Sequence, residues 1–426
     1  MKQHKYKETE IGKIPEGWEV KLISEVSEII LGGTPKTAIK EYWDGNIKWA
    51  SARDVANCNS IYIHETERKI TQKGIENSAA KILPKDTIVI TSRGTIGKIA
   101  LLPEQMSFNQ TCYGLKVRKK VSSLYLYYEL KNSITLFDSV SYGTVFDTIT
   151  KRTFDELKIS VPPLSEQKAI AKILSDLDAK IELNQQMNKI LEEMAQAIFK
   201  HWFINFEFPN EEGKPYKSSV GKMVDSELGP IPKNWHIGRL SDIAEITMGM
   251  SPPGTTYNEV GDGMPFFQGI RDFSFRYPQE RVYCTDPKRM AEKDDILLSV
   301  RAPVGALNCT LVKCIIGRGL ASIREKNGRN SYIYYLLQNS INWWKNFNAE
   351  GTVFGAVNKD DVNNFQIAIA PHDLINQLDT FLMNIDERVK NNCIQNRSLS
   401  QIRDSLLPRL MSGKIRVNYN RTAPRG

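Results

Sequence analysis

The stretch Ile14-Pro15-Glu16-Gly17-Trp18 decides how this 426-residue chain is organised, because it returns as Ile231-Pro232-Lys233-Asn234-Trp235. The two copies are 217 residues apart, from position 14 to position 231. Farther along, residues 88–93 correspond to residues 296–301 at an offset of 208, and the same offset relates the Gly-Thr-Val-Phe motifs at 143–146 and 351–354. A net deletion of nine residues in the second copy explains the smaller offset. The chain therefore contains one plan twice, which predicts two similar globular parts.

Composition is that of a soluble globular protein, with 41% hydrophobic and 9% aromatic residues. The length suits two domains plus connecting elements. No stretch approaches the roughly 18 apolar residues needed to cross a bilayer, and residues 1–7 lack the apolar core of a signal peptide. We therefore expect a cytoplasmic protein with no membrane partner. The net charge of +8 mildly favours a polyanionic partner, although many basic proteins of this size bind no nucleic acid.

Cysteine and histidine usage argues against metal and disulfide chemistry. The six cysteines contain no Cys-x-x-Cys pair and do not occupy matching positions of the two copies, and the five histidines are scattered. A duplicated metal site or disulfide framework would have been copied with the domain. We expect free thiols and no metal site.

The first part of each copy, 12–163 and 229–371, is irregular and rich in Gly, Pro and aromatic residues. Short β-like runs follow the turn signals Lys85-Asp86 and Lys293-Asp294. Helical patterns occur near 123–131 and 332–347. We predict two α+β domains, joined through a linker at 206–228.

The second part of each copy, 164–205 and 372–415, has the pattern of a long helix. Residues 165–203 contain no Gly or Pro. In each copy two series of mostly apolar residues recur every seven positions, as along the contact line (seam) of a coiled coil. The first copy has Ile170, Leu177, Asn184, Leu191 and Ile198 in one series and Leu174, Ile181, Asn188, Ala195 and Trp202 in the other. The second copy has Leu378, Ile385, Asn392, Leu399 and Leu406 in one series and Leu382, Val389, Asn396, Arg403 and Leu410 in the other. This spacing predicts a coiled coil of about 57 Å. The alternative is a long amphipathic helix packed on its own domain.

Four asparagines interrupt the apolar seam at its middle. If the helices pair antiparallel about their centres, Asn184 approaches Asn396 and Asn188 approaches Asn392. Such pairs satisfy each other's amides and penalise a shifted register, which would bury an amide against Leu or Ile. Parallel pairing would also match Asn with Asn, so topology has to supply the direction. Arg403 is unusual for a dry seam, and Pro408 should kink or stop the second helix.

No catalytic motif stands out. Residues 92–98 lack the spacing of a Walker loop, and there is no dinucleotide, nucleophile-elbow or zinc-protease motif. Several basic residues recur or lie in loops, where arginine suits guanine edges and phosphates. We predict that DNA is contacted by Lys36, Lys48, Arg53, Lys69, Arg93, Lys98, Arg271, Arg276, Arg281, Arg301 and Arg318. The alternative for each is a salt bridge inside its own domain, or a solvated surface position.

Further motifs mark the boundaries of the copies. They are Gly12-Lys13-Ile14-Pro15-Glu16-Gly17-Trp18, Gly32-Gly33-Thr34-Pro35, Tyr42-Trp43-Asp44-Gly45, Leu228-Gly229-Pro230-Ile231-Pro232, Pro162-Pro163-Leu164-Ser165-Glu166-Gln167-Lys168-Ala169-Ile170-Ala171 and the partial second copy Ala370-Pro371-His372-Asp373-Leu374-Ile375-Asn376-Gln377. With these motifs the chain resembles, over nearly its whole length, the specificity (S) subunit of type I restriction–modification systems.

The resemblance implies two target-recognition domains at the ends of an antiparallel helical spacer, each reading half of a bipartite site on double-stranded DNA. It implies docking of two modification (methyltransferase) subunits that bind S-adenosylmethionine and flip the target adenine. Two restriction subunits that use ATP and Mg²⁺ would join that assembly. This chain itself would bind no cofactor and have no catalytic residues. Because the two copies differ widely between their shared motifs, we expect the two half-sites to differ.

Two other functions stay open at this point. The chain could be a methyltransferase or nuclease with an unrecognised active site, which would show activity without a partner subunit. It could also be a coiled-coil scaffold that never touches DNA, in which case DNA binding with a strong salt dependence would not be found.

Overall fold

The computed structural model describes residues 5–140, 148–347 and 355–417. The repeated Gly-Thr-Val-Phe motifs at 143–146 and 351–354 lie outside the described residues. The chain divides into two compact units: the first comprises residues 1–183 and 395–426, and the second comprises residues 184–394. Each unit therefore combines one globular part with segments of both long helical regions.

The first unit is built around a four-stranded antiparallel sheet. The strands of the whole unit are β1 (Tyr6–Thr9), β2 (Gly12–Pro15), β3 (Glu19–Leu22), β4 (Ser27–Leu31), β5 (Trp43–Ala50), β6 (Arg68–Ile70), β7 (Ile88–Thr91), β8 (Ile99–Leu101), β9 (Ser107–Phe108), β10 (Cys112–Val117) and β11 (Lys158–Val161). The sheet order is β4-β10-β7-β8, while β5 and β9 run parallel in a second sheet with the order β6-β5-β9. Every residue of β7 is buried, as its continuous apolar run predicts.

Helices cover this sheet and complete its core. They are α1 (Ile23–Val26), α2 (Ala52–Ala56), α3 (Gln72–Glu76), α4 (Ser123–Val140), α5 (Lys151–Glu156) and α6 (Leu164–Phe199). Tyr125 and Tyr128 of α4 pack in one buried cluster with Ile170 and Leu174 of α6. The start of the first long helix is therefore part of the hydrophobic core of its own unit.

The second unit repeats this plan. Its strands are β12 (Met223–Val224), β13 (Ile231–Pro232), β14 (His236–Arg239), β15 (Ala244–Met248), β16 (Tyr257–Asn258), β17 (Met264–Phe267), β18 (Tyr283–Cys284), β19 (Met290–Ala291), β20 (Ile296–Ser299), β21 (Leu307–Cys309), β22 (Cys314–Ile316), β23 (Leu320–Glu325) and β24 (Gln366–Ile369). Its helices are α7 (Leu240–Ile243), α8 (Asn330–Asn339), α9 (Ile341–Lys345), α10 (Lys359–Asn363) and α11 (His372–Met411), which continues into the first unit.

Matching strands pair in the same order in both units. The sheet β15-β23-β20-β21 corresponds to β4-β10-β7-β8, and the pair β14-β24 corresponds to β3-β11. The parallel pairing of β17 with β22 corresponds to that of β5 with β9. In the second unit this pair belongs to a five-stranded sheet, β16-β18-β17-β22-β19. The predicted α+β class and two-part organisation are confirmed, and the units differ in the segments between the shared strands.

The two long helices contain 36 and 40 residues, and a π-helical turn at Lys200–Ile204 follows α6. Pro408 lies inside α11, so the helix does not stop at this residue. The other outcome expected from the sequence, a kink, stays a prediction. Pro408 is only one turn from the end of the helix, so the i→i−4 hydrogen bond that it removes leaves only the last turn beyond it. Gly413, with φ of +69°, follows the terminus. Within the described residues no helix is long and apolar enough to span a membrane.

Candidate nucleic-acid interface

An exposed arginine follows the buried central strand in each unit. Arg93 comes after β7 and Arg301 comes after β20, and both side chains are exposed. The loops that carry them are closed at the base by matching main-chain hydrogen bonds: Gly97 N to Thr91 O (3.0 Å) and Gly305 N to Ser299 O (3.0 Å). A rigid strand end therefore presents one arginine to solvent at the same place in each unit.

In the second unit, three of the arginines that we predicted to contact DNA line one cavity. Arg271, Arg281 and Arg301 surround a groove of about 740 Å³ together with Gln268. Gln268, Arg271 and Arg301 are exposed, and Arg281 is half-buried. Charge-based reasoning missed Gln268 because a neutral amide leaves no signal in a search for basic residues.

Asp272 orders this groove. It is buried, and its Oδ2 accepts hydrogen bonds from the main-chain N–H of Gln268 (2.7 Å) and Gly269 (3.3 Å). Its Oδ1 pairs with the guanidinium of Arg281, which also donates to the carbonyl of Arg271 (3.2 Å). Arg281 thus takes part in a salt bridge inside its own domain, while the side chain of Arg271 remains exposed. Arg281 is thereby preorganised, and a preorganised arginine loses less entropy when it binds a base or phosphate.

The corresponding turn in the first unit uses the same kind of carboxylate contact. Asp54 accepts from the main-chain N–H (2.8 Å) and the hydroxyl (2.7 Å) of Ser51, which is the N-cap of α2. The neighbouring side chain of Arg53 is exposed. Three further residues of this unit that we predicted to contact DNA are also exposed: Lys36, Lys69 and Lys98.

Lys48 is partly engaged within the first unit. Its ammonium pairs with Glu104 at 2.9 Å and donates to the carbonyl of His64 at 2.7 Å. A DNA phosphate would have to compete with both. Arg318 of the second unit is exposed.

Arg276 has to be withdrawn from the predicted DNA-contacting set. Its side chain is 2% exposed and donates to Glu192 (2.9 Å) and Asp386 (2.6 Å), while its guanidinium lies 3.3 Å from the centre of the Tyr334 ring. Burial lowers the pKa of Arg276, but the nearby Tyr334 and Asp386 raise it by more, so this pKa lies well above its usual value. The guanidinium is therefore charged, buried and paired with two carboxylates, so it attaches the globular part of the second unit to the helices.

Two of the seam asparagines contact each other within the second unit. Asn392 Nδ2 donates to Asn188 Oδ1 at 2.8 Å, and both side chains are buried. In the first unit, Asn396 Nδ2 donates to the main-chain carbonyl of Ile181 at 3.4 Å. Asn184 belongs to the second unit and Asn396 to the first, so the pairing predicted for these two stays a prediction.

Sequence reasoning missed the partner of Arg403. This side chain contacts Asp178 at 2.5 Å in the first unit, and the other oxygen of Asp178 accepts from the Tyr128 hydroxyl at 2.7 Å. In the second unit Asp386 likewise accepts from the Tyr335 hydroxyl, at 2.8 Å. Asp178 and Asp386 are 208 residues apart, so the repeat itself was the signal that would have identified these two matching aspartates.

Comparisons with known proteins agree with this architecture. The family model for the type I restriction modification DNA specificity domain matches residues 15–193 and 232–392, which is more than half of the chain. The chain is 32% identical to the type I restriction enzyme MjaIX specificity subunit of Methanocaldococcus jannaschii, over 97% of this chain and 96% of that one. It is 30% identical to the putative MjaX specificity subunit of the same organism, over 98% of each chain.

A solved structure is similar in fold. The S subunit of a type I restriction–modification system from M. genitalium matches with a TM-score of 0.59 at 17% sequence identity, over 92% of this chain and 96% of that one. The chain therefore belongs to the type I restriction–modification specificity-subunit family and is a non-catalytic DNA specificity subunit.

Proposed function

We propose that the globular part of each unit reads one half of an asymmetric bipartite site on double-stranded DNA. The observation that carries this proposal is the pair of strand-end loops that expose Arg93 and Arg301 on the same main-chain frame. Exposed arginines on rigid elements are suited to base edges and phosphates. The recognition domains are those expected from the sequence, 12–163 and 229–371.

The two half-sites differ because the surroundings of the matched arginines differ. Arg301 shares its groove with Arg271, Arg281 and Gln268, next to a five-stranded sheet. In the first unit the corresponding sheet has three strands and the predicted contacts are mainly lysines. Unlike donor patterns select unlike base sequences, so the complete target is not a palindrome.

The helices at 164–205 and 372–415 are proposed to pair antiparallel as a spacer between the two recognition domains. Contacts within each unit support this direction. In the first unit Asp178 meets Arg403, and Ile181 meets Asn396, so the second partner number falls as the first rises. In the second unit Asn188 meets Asn392. An antiparallel pair has this order of contacts, whereas in a parallel pair both numbers would rise together.

The helices are further proposed to dock two modification subunits. In the second unit α6 exposes the apolar side chains of Ile190 (57%) and Met194 (51%), with the half-buried Met187 on the same face at helical spacing. Apolar side chains aligned on one helix face favour contact with another protein surface. S-adenosylmethionine would then be bound by the modification subunits, and ATP with Mg²⁺ by two restriction subunits. Location in the cytoplasm stays a prediction.

The proposal is tested by mapping methylated adenines in DNA exposed to the chain assembled with its modification subunits. We expect one asymmetric motif of two defined halves and a gap of fixed length. Arg93→Ala should weaken selectivity in one half and Arg301→Ala in the other, whereas Arg388→Ala, at an exposed arginine of α11, should leave both halves unchanged. Methylation without a bipartite motif, or the same change from both loop variants, would contradict the assignment.

A further inference from the structure

A second pair of exposed positions occupies the same place in both units, and its members differ in chemistry. Gln110 precedes β10 and Arg318 precedes β23, at an offset of 208 from position 110 to position 318. Both side chains are exposed. Each lies in the short turn that leads into the strand next to the central β7 or β20.

The turn is held by the same main-chain hydrogen bonds in both units. One bond joins the turn to the strand end that carries Arg93 or Arg301. Two others join the strand after the turn and the strand before it to the chain that follows β4 or β15. The matched pairs are Ser92 N to Thr111 O (2.8 Å) with Val300 N to Gly319 O (3.0 Å), Gly32 N to Cys112 O (3.1 Å) with Gly249 N to Leu320 O (2.9 Å), and Gly33 N to Phe108 O (3.0 Å) with Met250 N to Ile316 O (2.9 Å).

Matched glycines bring the backbone against this turn. A Cβ at Gly32 would lie 2.1 Å from the carbonyl oxygen of Asn109, and a Cβ at Gly249 would lie 2.2 Å from that of Gly317. Real Cβ atoms cannot approach so closely, so only glycine permits this contact. The turn therefore rests on rigid backbone beside the arginine loop.

A hydroxyl group also accompanies each turn at a matching position. The Thr34 hydroxyl donates to the amide oxygen of Gln110 and so orients that side chain. Its counterpart Ser251, 217 residues later, accepts from the main-chain N–H of Arg318 at 3.2 Å. An amide oxygen has two lone pairs, so Gln110 keeps an acceptor as well as its N–H donors for a base.

We propose that Gln110 and Arg318 are equivalent base-reading positions with different base preferences. Glutamine forms a bidentate pair with the N6 and N7 of adenine, and arginine forms one with the O6 and N7 of guanine. Gln110 thus selects adenine in one half-site and Arg318 selects guanine in the other. This inference rests on the proposed DNA-reading function and adds the residues that make the half-sites unlike.

The test exchanges the two side chains one at a time. Gln110→Arg and Arg318→Gln are prepared in the full chain assembled with modification subunits, and each complex selects DNA from a library of randomised duplexes. We expect Gln110→Arg to replace adenine by guanine at one position of one half-site. Arg318→Gln should replace guanine by adenine at one position of the other half-site. Each change should alter the base preference at that position roughly ten-fold.

Matched controls separate a recognition effect from a general one. Gln401→Arg and Arg388→Gln make the same substitutions at exposed positions of α11 and should leave the selected motif unchanged. Gln110→Ala and Arg318→Ala only truncate exposed side chains and should relax the preference at the same single positions. They provide the test if an exchange variant misfolds, as judged by thermal unfolding.

Two failures can be told apart. If the unmodified complex selects no bipartite motif, the proposed function itself is wrong. If the unmodified complex selects such a motif but the folded exchange and alanine variants select the same bases with the same preference, the assignment of Gln110 and Arg318 is overturned and the proposed function stands.

Discussion

At the residue scale, buried charges matter more than exposed ones for holding each unit together. Arg276 reaches from the globular part of the second unit to Glu192 of α6 and Asp386 of α11. Asp178 similarly joins Tyr128 and Arg403 in the first unit. A buried ion pair is stable only while both partners are present, because either one left alone is an uncompensated charge in a medium of low polarity. Such residues attach the globular part of each unit to the helical segments of the same unit.

Replacing Arg276 should therefore affect stability. We expect Arg276→Met to lower the free energy of unfolding by about 3–5 kcal/mol, because it leaves Glu192 and Asp386 without their cation. Arg271→Met, at an exposed arginine of the same unit, should change it by less than about 0.5 kcal/mol. Denaturant unfolding followed by circular dichroism measures both. Equal, small effects of the two substitutions would show that Arg276 does not anchor the unit.

A buried carboxyl makes the first unit sensitive to pH. Glu129 of α4 is buried, and that burial raises its pKa from 4.5 to about 8. Between these values the folded state keeps a proton that the unfolded state has released, so stability falls as pH rises. We expect Glu129→Gln to be more stable than the unmodified chain by on the order of 3 kcal/mol at pH 7, with the difference vanishing below pH 4.5.

Unfolding free energies measured at several pH values between 4.5 and 8 check this. Glu65→Gln, at an exposed position of the same unit, serves as the control and should follow the unmodified chain at every pH. If Glu129→Gln also runs parallel to the unmodified chain, the buried carboxyl is not the source of the pH dependence.

At the element scale, the long helices use their seven-residue pattern for two purposes. Ile170 and Leu174 pack into the core of the first unit, and Leu378 and Leu382 pack into the core of the second. Toward the middle of each helix the same series places asparagine at the seam, where Asn188 and Asn392 meet. Each long helix therefore packs on the domain of its own unit, and single side-chain contacts also join the two helical regions within each unit.

The asparagine pair should be coupled energetically. Asn188→Leu alone should destabilise the second unit by about 1–3 kcal/mol, because it leaves the buried amide of Asn392 without its partner. The double variant Asn188→Leu/Asn392→Leu should recover most of that loss or exceed the original stability, since both polar groups are then gone. A double-mutant cycle on unfolding free energies measures the coupling. Additive effects would mean that the pair does not set the register.

At the scale of the whole molecule, duplication would give one chain the two reading surfaces that we propose. The central sheets share strand order, so each surface is built on the same scaffold. The segments between shared strands differ, and they form a five-stranded sheet in one unit and a three-stranded sheet in the other. Change in these segments leaves the scaffold intact, which allows recognition to vary without loss of the fold.

The proposed spacer should act as a ruler. Deleting one heptad from each long helix shortens it by roughly 10 Å, which is about three base pairs of DNA at 3.4 Å each. We expect the gap between the two half-sites to shorten by that amount while the half-sites themselves stay the same. Methylation-site mapping measures the gap, and replacing the same heptads by others of equal length is the control. An unchanged gap would refute the ruler.

The sequence alone determined the repeat, the α+β class and the kind of protein this is. These features depend on local periodicity and on motifs that are copied along the chain, as in the buried strand before Arg93 and its counterpart before Arg301. Tertiary structure alone decided which basic residues face solvent. Arg276 and Arg271 look alike in sequence, yet one is buried between two carboxylates brought from remote helices and the other is exposed. Burial depends on which distant segments pack together, and neither charge nor spacing along the chain contains that information.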